Sequence, residues 1–245
     1  MIPKIIHFIW LGNNEIDKNS QICINSAKRL LPDYQINIWT ENNINIEEIR
    51  ESNKFFDECL KKKLWAFASD YLRLYILAKY GGIYLDTDVE VIKKFDDLLG
   101  NKCFMGLEEE TNGDTYIGTG VIGAEPNSVV IDKILGFYDE QIWNVEYYNN
   151  PIIFKNVLFS NKELQKYVKI YPKYYFCPYV PYSKELYVNV ASDTYTIHWY
   201  NANWNLSCKG YMFITTKYID NPVLKFFVKI KRYLGYKKRA FLKNR

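Results

Sequence analysis

The sequence predicts an α/β fold built on an open sheet, and three observations carry that prediction. A nearly continuous apolar run at residues 3–11, PKIIHFIWL, reads as a buried parallel strand. A helix and a second, alternating strand follow before residue 41 and complete a β-α-β unit. Residues 64–92 then run from a helix through a double glycine into a strand that delivers Asp86 and Asp88 with one residue between them.

With 245 residues, the chain suffices for one large α/β domain or two small ones with a substantial core. A hydrophobic content of 48% places it in the globular class. No apolar stretch approaches the length of a membrane span, and MIPKIIHFIW lacks the leading charges and cleavage site of a secretory signal. The expected location is therefore the cytoplasm. Cys23, Cys59, Cys103, Cys177 and Cys208 are scattered, with no C-x-x-C pair, which argues for reduced thiols rather than a disulfide framework or zinc knuckle. Residues 221–245 hold nine Lys or Arg and no acid, whereas the preceding body is mildly acidic. That asymmetry divides the chain into a body, 1–220, and a basic tail, 221–245.

The first strand breaks at Gly12-Asn13-Asn14. Ile22, Ala27, Leu30 and Leu31 mark a helix ending at Pro32, and Tyr34 to Thr40 alternates as a strand. No G-x-G-x-x-G follows the first strand and no G-K-[ST] occurs, so neither a dinucleotide-binding opening nor a P-loop cradles phosphates there, and a bound pyrophosphate would need a metal to neutralise it. Residues 46–63 read as a helix of mixed polarity. From Leu64 to Tyr80 apolar residues recur at three- and four-residue steps, the period of a helix with one buried face. Gly81 supplies a left-handed stop, and Gly82 turns the chain into a strand. Ile83, Leu85, Val89 and Val91 alternate with Tyr84, Asp86, Asp88 and Glu90, so a single strand sends aliphatics one way and carboxylates the other.

An isolated D-x-D is as often a half-solvated strand as a site. Here it follows a tight turn at the place where α/β proteins bind ligands, and paired carboxylates suit a hard divalent cation. Asp70 and Arg73 share a helix face by i, i+3 spacing. A surface ion pair is the bland reading, but Phe67, Leu72, Leu74 and Ile76 around them argue for partial burial with a partner or ligand.

The run Ser69-Asp70-Tyr71-Leu72-Arg73, followed by Tyr80-Gly81-Gly82-Ile83-Tyr84-Leu85-Asp86-Thr87-Asp88, resembles the signature of the DXD-containing sugar transferases of glycosyltransferase family 32. These are relatives of capsular polysaccharide enzymes, the yeast outer-chain mannosyltransferase and clostridial toxin glucosyltransferases. The resemblance implies a GT-A-like open mixed sheet with a Rossmann-like nucleotide-binding half. It further implies metal-dependent, configuration-retaining transfer from a nucleotide sugar, a uridine one above all, to a saccharide acceptor in bacterial surface polysaccharide synthesis. By the same resemblance, Asp88 holds Mn²⁺ or Mg²⁺ directly, Asp86 is shared between ribose and sugar, and Asp70 and Arg73 grip sugar hydroxyls. The segment I-H-F-I-W-L-G is similar to the family's first strand, which puts Trp10 against the base and leaves His7 to pack within the sheet. Near the other end, His198-Trp199 and Asn203-Trp204 stand where the family has H-W and S-W, closing over metal and phosphates. His198 is then a further metal ligand and Trp204 part of the nucleotide site, with Asn203 in place of the usual serine. The resemblance spans Pro3 to Trp204.

Lys93 to Leu99 resembles the family's continuation, and Phe104 to Leu107 reads as a strand. Glu108-Glu109-Glu110 has the composition of a solvated loop. Ile117 to Ala124 is a glycine-dense strand, implying close approach to its backbone, and it resembles the stretch lining the sugar and acceptor side. Residues 131–138 and 151–158 read as helices, with Asn149-Asn150-Pro151 where the family has T-G-P. Residues 167–187, crowded with Tyr and Pro, are irregular or β and suit either packing or a sugar-binding surface. From Pro222 onward Leu224, Phe227, Ile230 and Leu234 form a stripe on a basic amphipathic helix, the pattern of a peripheral contact with the anionic inner face of a membrane. Two rivals remain: a nucleic-acid or anionic-membrane binding module resting on the tail, and a metal-dependent phosphohydrolase resting on the carboxylates. A nucleic-acid partner is not expected of the transferase.

Overall fold

The computed structural model describes residues 1–109, 115–146, 149–179, 190–201 and 208–243. The opening unit comprises β1 (Ile5–Ile9), α1 (Lys18–Leu30) and β2 (Gln35–Trp39). Asp17 starts α1 by accepting the Asn19 and Ser20 amides, a cap that satisfies donors the helix cannot pair itself. Next come α2 (Ile46–Ser52), α3 (Lys54–Lys61), α4 (Trp65–Tyr80), β3 (Gly82–Leu85) and β4 (Val89–Val91). The expected single helix over 46–63 is two, because buried Asn53 leaves helical geometry and caps α3 at the Phe56 amide. The remainder is β5 (Cys103–Glu109), β6 (Thr115–Ala124), α5 (Val129–Glu140), α6 (Asn150–Ser160), β7 (Lys169–Tyr171), β8 (Thr196–His198), α7 (Cys208–Thr216) and α8 (Pro222–Lys243).

Six strands form one mixed sheet in the order β2-β1-β3-β6-β5-β7. β1 pairs in parallel with β2 and β3, β6 runs antiparallel to β3 and β5, and β7 runs parallel to β5. Both faces are covered. Phe8, Ile83, Leu85 and Val121 pack against Ile24 and Ala27 of α1, while Tyr84, Met105 and Ile122 face the layer of α2 to α6. The alternation of β3 therefore assigns Tyr84, and Asp86 two residues on, to the α4 side.

Two expectations for the central stretch change. α4 is buried nearly all round rather than on one face, because it lies between the sheet and the helices α3 and α5. Nor does one strand run from 83 to 91. β3 ends at Leu85, the chain turns with the Val89 amide bonded to the Asp86 carbonyl, and β4 joins β8 in a separate two-stranded sheet. The four aliphatics still share one core, as their alternation requires. Gly81 ends α4 at φ +61° and ψ −160°, outside the left-handed helical well and in a region open essentially to glycine alone. A Cβ there would lie 2.6 Å from Pro126 Cδ, and one on Gly82 would lie 2.7 Å from the Ile5 carbonyl oxygen. The double glycine thus serves close packing as well as turning.

α8 leaves Leu224, Phe227, Ile230 and Leu234 exposed, as the stripe predicts. Among the described residues no helix is long and apolar enough to cross a membrane.

His7 packs inside the sheet as expected. It is wholly buried, accepts at Nδ1 from Trp39 Nε1 (3.0 Å), and donates from Nε2 to the Gly81 carbonyl (2.8 Å), so it joins β1, β2 and the end of α4. Burial lowers its pKa to about 4. The unfolded chain takes up a proton near pH 6.5, whereas the folded one resists until about pH 4. His7 therefore costs no stability above pH 6.5 and up to about 3 kcal/mol as pH falls through that window, at 1.36 kcal/mol per unit. Urea unfolding between pH 7 and pH 4.5 should show this loss in the wild type and a shallower one in His7→Gln; parallel curves would contradict it.

Candidate active site

α4 carries Asp70 and Arg73 to the level where β3 ends. Arg73 Nη2 meets Asp70 Oδ1 at 2.8 Å, and Arg73 Nη1 meets Asp86 Oδ1 at 3.2 Å. Nη1 also donates to the Thr119 carbonyl (2.8 Å), and the guanidinium carbon stands 4.5 Å from the centre of the Tyr84 ring. The Tyr84 hydroxyl donates to Asp86 Oδ1 at 2.6 Å. Asp70 and Arg73 are thus deeply buried, 2% and 4% exposed, which exceeds the partial burial their neighbours suggested.

Asn150, at the start of α6, donates to Asp70 Oδ1 (3.0 Å) and in turn accepts from the Tyr138 hydroxyl. The other oxygen, Asp70 Oδ2, is buried and has no hydrogen-bond partner among the described residues. Burial pushes the Asp70 carboxyl up to about 7, against the pull of Arg73 and with help from the charge on Asp86. Two carboxylates share one cation.

The turn between β3 and β4 presents Asp86 and Asp88. His198, from β8, reaches Asp88 because Val89 and His198 are paired residues of the small sheet. His198 Nε2 lies 3.3 Å from Asp88 Oδ1, and the Asn201 amide donates to Oδ2 at 2.9 Å. Burial disfavours the Asp88 anion, yet His198 and the Asn201 amide outweigh it and lower the pKa. For His198, burial opposes protonation, but Asp88 and Glu108 overcome it and raise the pKa. One ligand atom each of Asp86, Asp88 and His198 lies within 4.8 Å of the others, a donor set that fits a hard divalent cation.

These groups line a cleft of about 630 Å³ at the carboxyl ends of β1 and β3. Trp10 stands half-buried at its edge beside Trp65, with Nε1 donating to the Asn14 carbonyl (2.8 Å). It is not a core aromatic. Trp204 and Asn203 lie outside the described residues.

Several cleft residues escape sequence reasoning. Glu108 belongs to β5 rather than a solvated loop, with Oε1 3.5 Å from His198 Nδ1. The signal that marks it is the Gly118-Thr119-Gly120 run. A Cβ on Gly118 would sit 2.9 Å from Glu108 Oε1, and one on Gly120 would sit 3.1 Å from Asp86 Oδ2. Asn150 could not be tied to Asp70 from sequence, since 80 residues separate them.

Residues 17–105 match a family described as "Glycosyltransferase sugar-binding region containing DXD motif". Those residues are thus similar to a DXD glycosyltransferase region. It is 31% identical over 140 residues to an uncharacterized glycosyltransferase of Acanthamoeba polyphaga mimivirus, covering 55% of this chain and 54% of that protein. To inositol phosphoceramide mannosyltransferase 3 of Schizosaccharomyces pombe it is 36% identical over 98 residues, covering 40% and 27%. The chain thus spans about half or less of these relatives' lengths. The solved structure titled "PaToxG Glycosyltransferase" aligns with a TM-score of 0.51 at 23% identity, covering 67% of this chain and 73% of that one. The fold is accordingly of the GT-A type, with a central mixed sheet.

Removing Arg73 would leave the buried Asp70 carboxylate and the half-buried Asp86 carboxylate without their shared cation. Arg73→Met should cost about 3–5 kcal/mol, the scale for breaking a buried pair, and adding Asp70→Asn should recover part of it. Chemical denaturation of the single and double variants checks this; additive losses would contradict the shared ion pair.

Proposed function

We propose that the chain transfers a sugar from a nucleotide-sugar donor, a uridine diphosphate sugar, to a saccharide acceptor. The supporting observation is the convergence of Asp86, Asp88 and His198 on the floor of a cleft whose edge carries Trp10. In this reading Asp88 and His198 hold Mn²⁺ or Mg²⁺, Asp86 is shared between the cation, ribose and sugar, and Trp10 stacks on the base. The cation, when bound, offsets charge on the departing nucleoside diphosphate. Asp70 receives a donor-sugar hydroxyl at its unpartnered Oδ2, and Arg73 keeps that carboxylate and Asp86 in place. Retention of configuration follows from the family resemblance, and because no carboxylate among the described residues stands out as a covalent nucleophile, transfer in this reading proceeds on one face, assisted by the leaving phosphate.

We further propose that residues 1–220 form the transferase unit and that 221–245 contact an anionic membrane where a surface polysaccharide acceptor is assembled. Exposed Leu224, Phe227, Ile230 and Leu234 beside basic side chains support this. The alternatives fare less well: a phosphohydrolase needs the carboxylates but not an aromatic base platform, and a tail-only binding module needs neither.

Asp88→Asn keeps the shape but removes the charge, so transfer should fall by orders of magnitude. Trp10→Ala should instead raise the donor KM roughly tenfold to a hundredfold, from about 1–3 kcal/mol of stacking. Because Trp10 is only half-buried, its loss should leave melting little changed. Steady-state kinetics with melting curves checks both; a large stability loss at unchanged KM would assign Trp10 to packing. For the tail, Phe227→Ser with Leu234→Ser should weaken co-sedimentation with phosphatidylserine vesicles while sparing turnover of a soluble acceptor, and unchanged sedimentation would refute the membrane contact.

A further inference from the structure

His198 presents its second ring nitrogen to a different environment from its first. Nδ1 is wholly buried, has no well-formed hydrogen bond among the described residues and belongs to a residue only 8% exposed. Opposite it stand Glu108 Oε1 at 3.5 Å and, 3.5 Å beyond that oxygen, Cys177 Sγ; all three atoms lie within 4.8 Å of one another. Nitrogen, oxygen and sulfur bound to tetrahedral zinc at about 2.0–2.1 Å and 2.3 Å stand roughly 3.3–3.6 Å apart. Both 3.5 Å separations fall within that range. Room for the cluster comes from bare backbone: a Cβ on Gly118 would meet Glu108 Cγ at 2.9 Å, and one on Gly120 would meet His198 Nδ1 at 3.4 Å.

We propose that Glu108, Cys177 and His198 Nδ1 bind a thiophilic divalent cation of the zinc class, at a site distinct from the Asp86 and Asp88 carboxylates but sharing His198 with them. The donor sets explain the separation. Two carboxylates favour hard Mn²⁺ or Mg²⁺, whereas a thiolate with imidazole favours zinc. Binding replaces the Cys177 S–H bond by a sulfur–metal bond and releases that proton to solvent. A cation on Nδ1 puts the ring proton on Nε2, where Asp88 Oδ1 at 3.3 Å accepts it. A hard cation using Nε2 requires the opposite tautomer. Resting on the proposed transferase reading, the thiol site would therefore act as a zinc-sensitive brake, since occupation withdraws His198 from the other cation.

The test uses Co²⁺ as a spectroscopic stand-in, added to the full chain and followed through the near-ultraviolet thiolate-to-cobalt band. The wild type should develop the band with one equivalent, and Zn²⁺ should bleach it. Cys177→Ser should abolish it, Glu108→Gln should weaken binding at least tenfold, and Asp88→Asn should retain it. No band in the wild type, a band surviving in Cys177→Ser, or unchanged affinity in Glu108→Gln would overturn the site. Loss in Asp88→Asn would overturn its separateness. The readout requires no catalysis: an intact pattern in a protein without transferase activity would sink the transferase reading and leave this one standing.

Discussion

Arg73 lies buried between Asp70 and Asp86 with its guanidinium against the Tyr84 ring, and most of the cleft depends on that arrangement. Its charge can be buried because every side of it is occupied: two carboxylates, the Thr119 carbonyl and an aromatic face. Removing water strengthens these attractions and makes a missing partner costly. The ion pair also fixes relative positions. It links α4 to the end of β3 through Asp86 and to β6 through Thr119, and Asn150 adds the start of α6 through Asp70.

The electrostatics of the cleft follow from this sharing. One guanidinium against two carboxylates leaves the floor short of positive charge, and the neighbouring Asp88 carboxylate deepens the deficit. His198 relieves part of it through its contact with Asp88. A divalent cation beside Asp86 and Asp88 would remove the remainder and give a pyrophosphate a positive surface, where no glycine cradle follows the first strand.

Much of this was legible in the sequence because the informative residues are close together in it. The 64–92 stretch contains the helix, its stop, the ion pair and both acids, and its alternation assigned the aliphatics to one core correctly. Alternation could not reveal that β3 and β4 belong to different sheets, since a turn of three residues keeps the parity of the pattern. Tyr84 was placed on the right face, but its bond to Asp86 depends on side-chain reach. Glu108 was misassigned because a run of acids has the composition of a loop; its place in the cleft comes from the β5–β6 register and from glycines in the facing strand. The exposed Ile22 on α1 illustrates the opposite error, an apolar residue that marks a helix without marking its buried face.

In the proposed reading a cation joins the acidic turn to the nucleotide site. Calorimetric titration of uridine diphosphate into the protein, with Mn²⁺ and then with a chelator, tests it most directly. Binding should be at least tenfold tighter with Mn²⁺, about 1.4 kcal/mol, and the affinity for Mn²⁺ should rise by the same factor when uridine diphosphate is present, as linkage demands. Equal nucleotide affinity with and without the cation would contradict it.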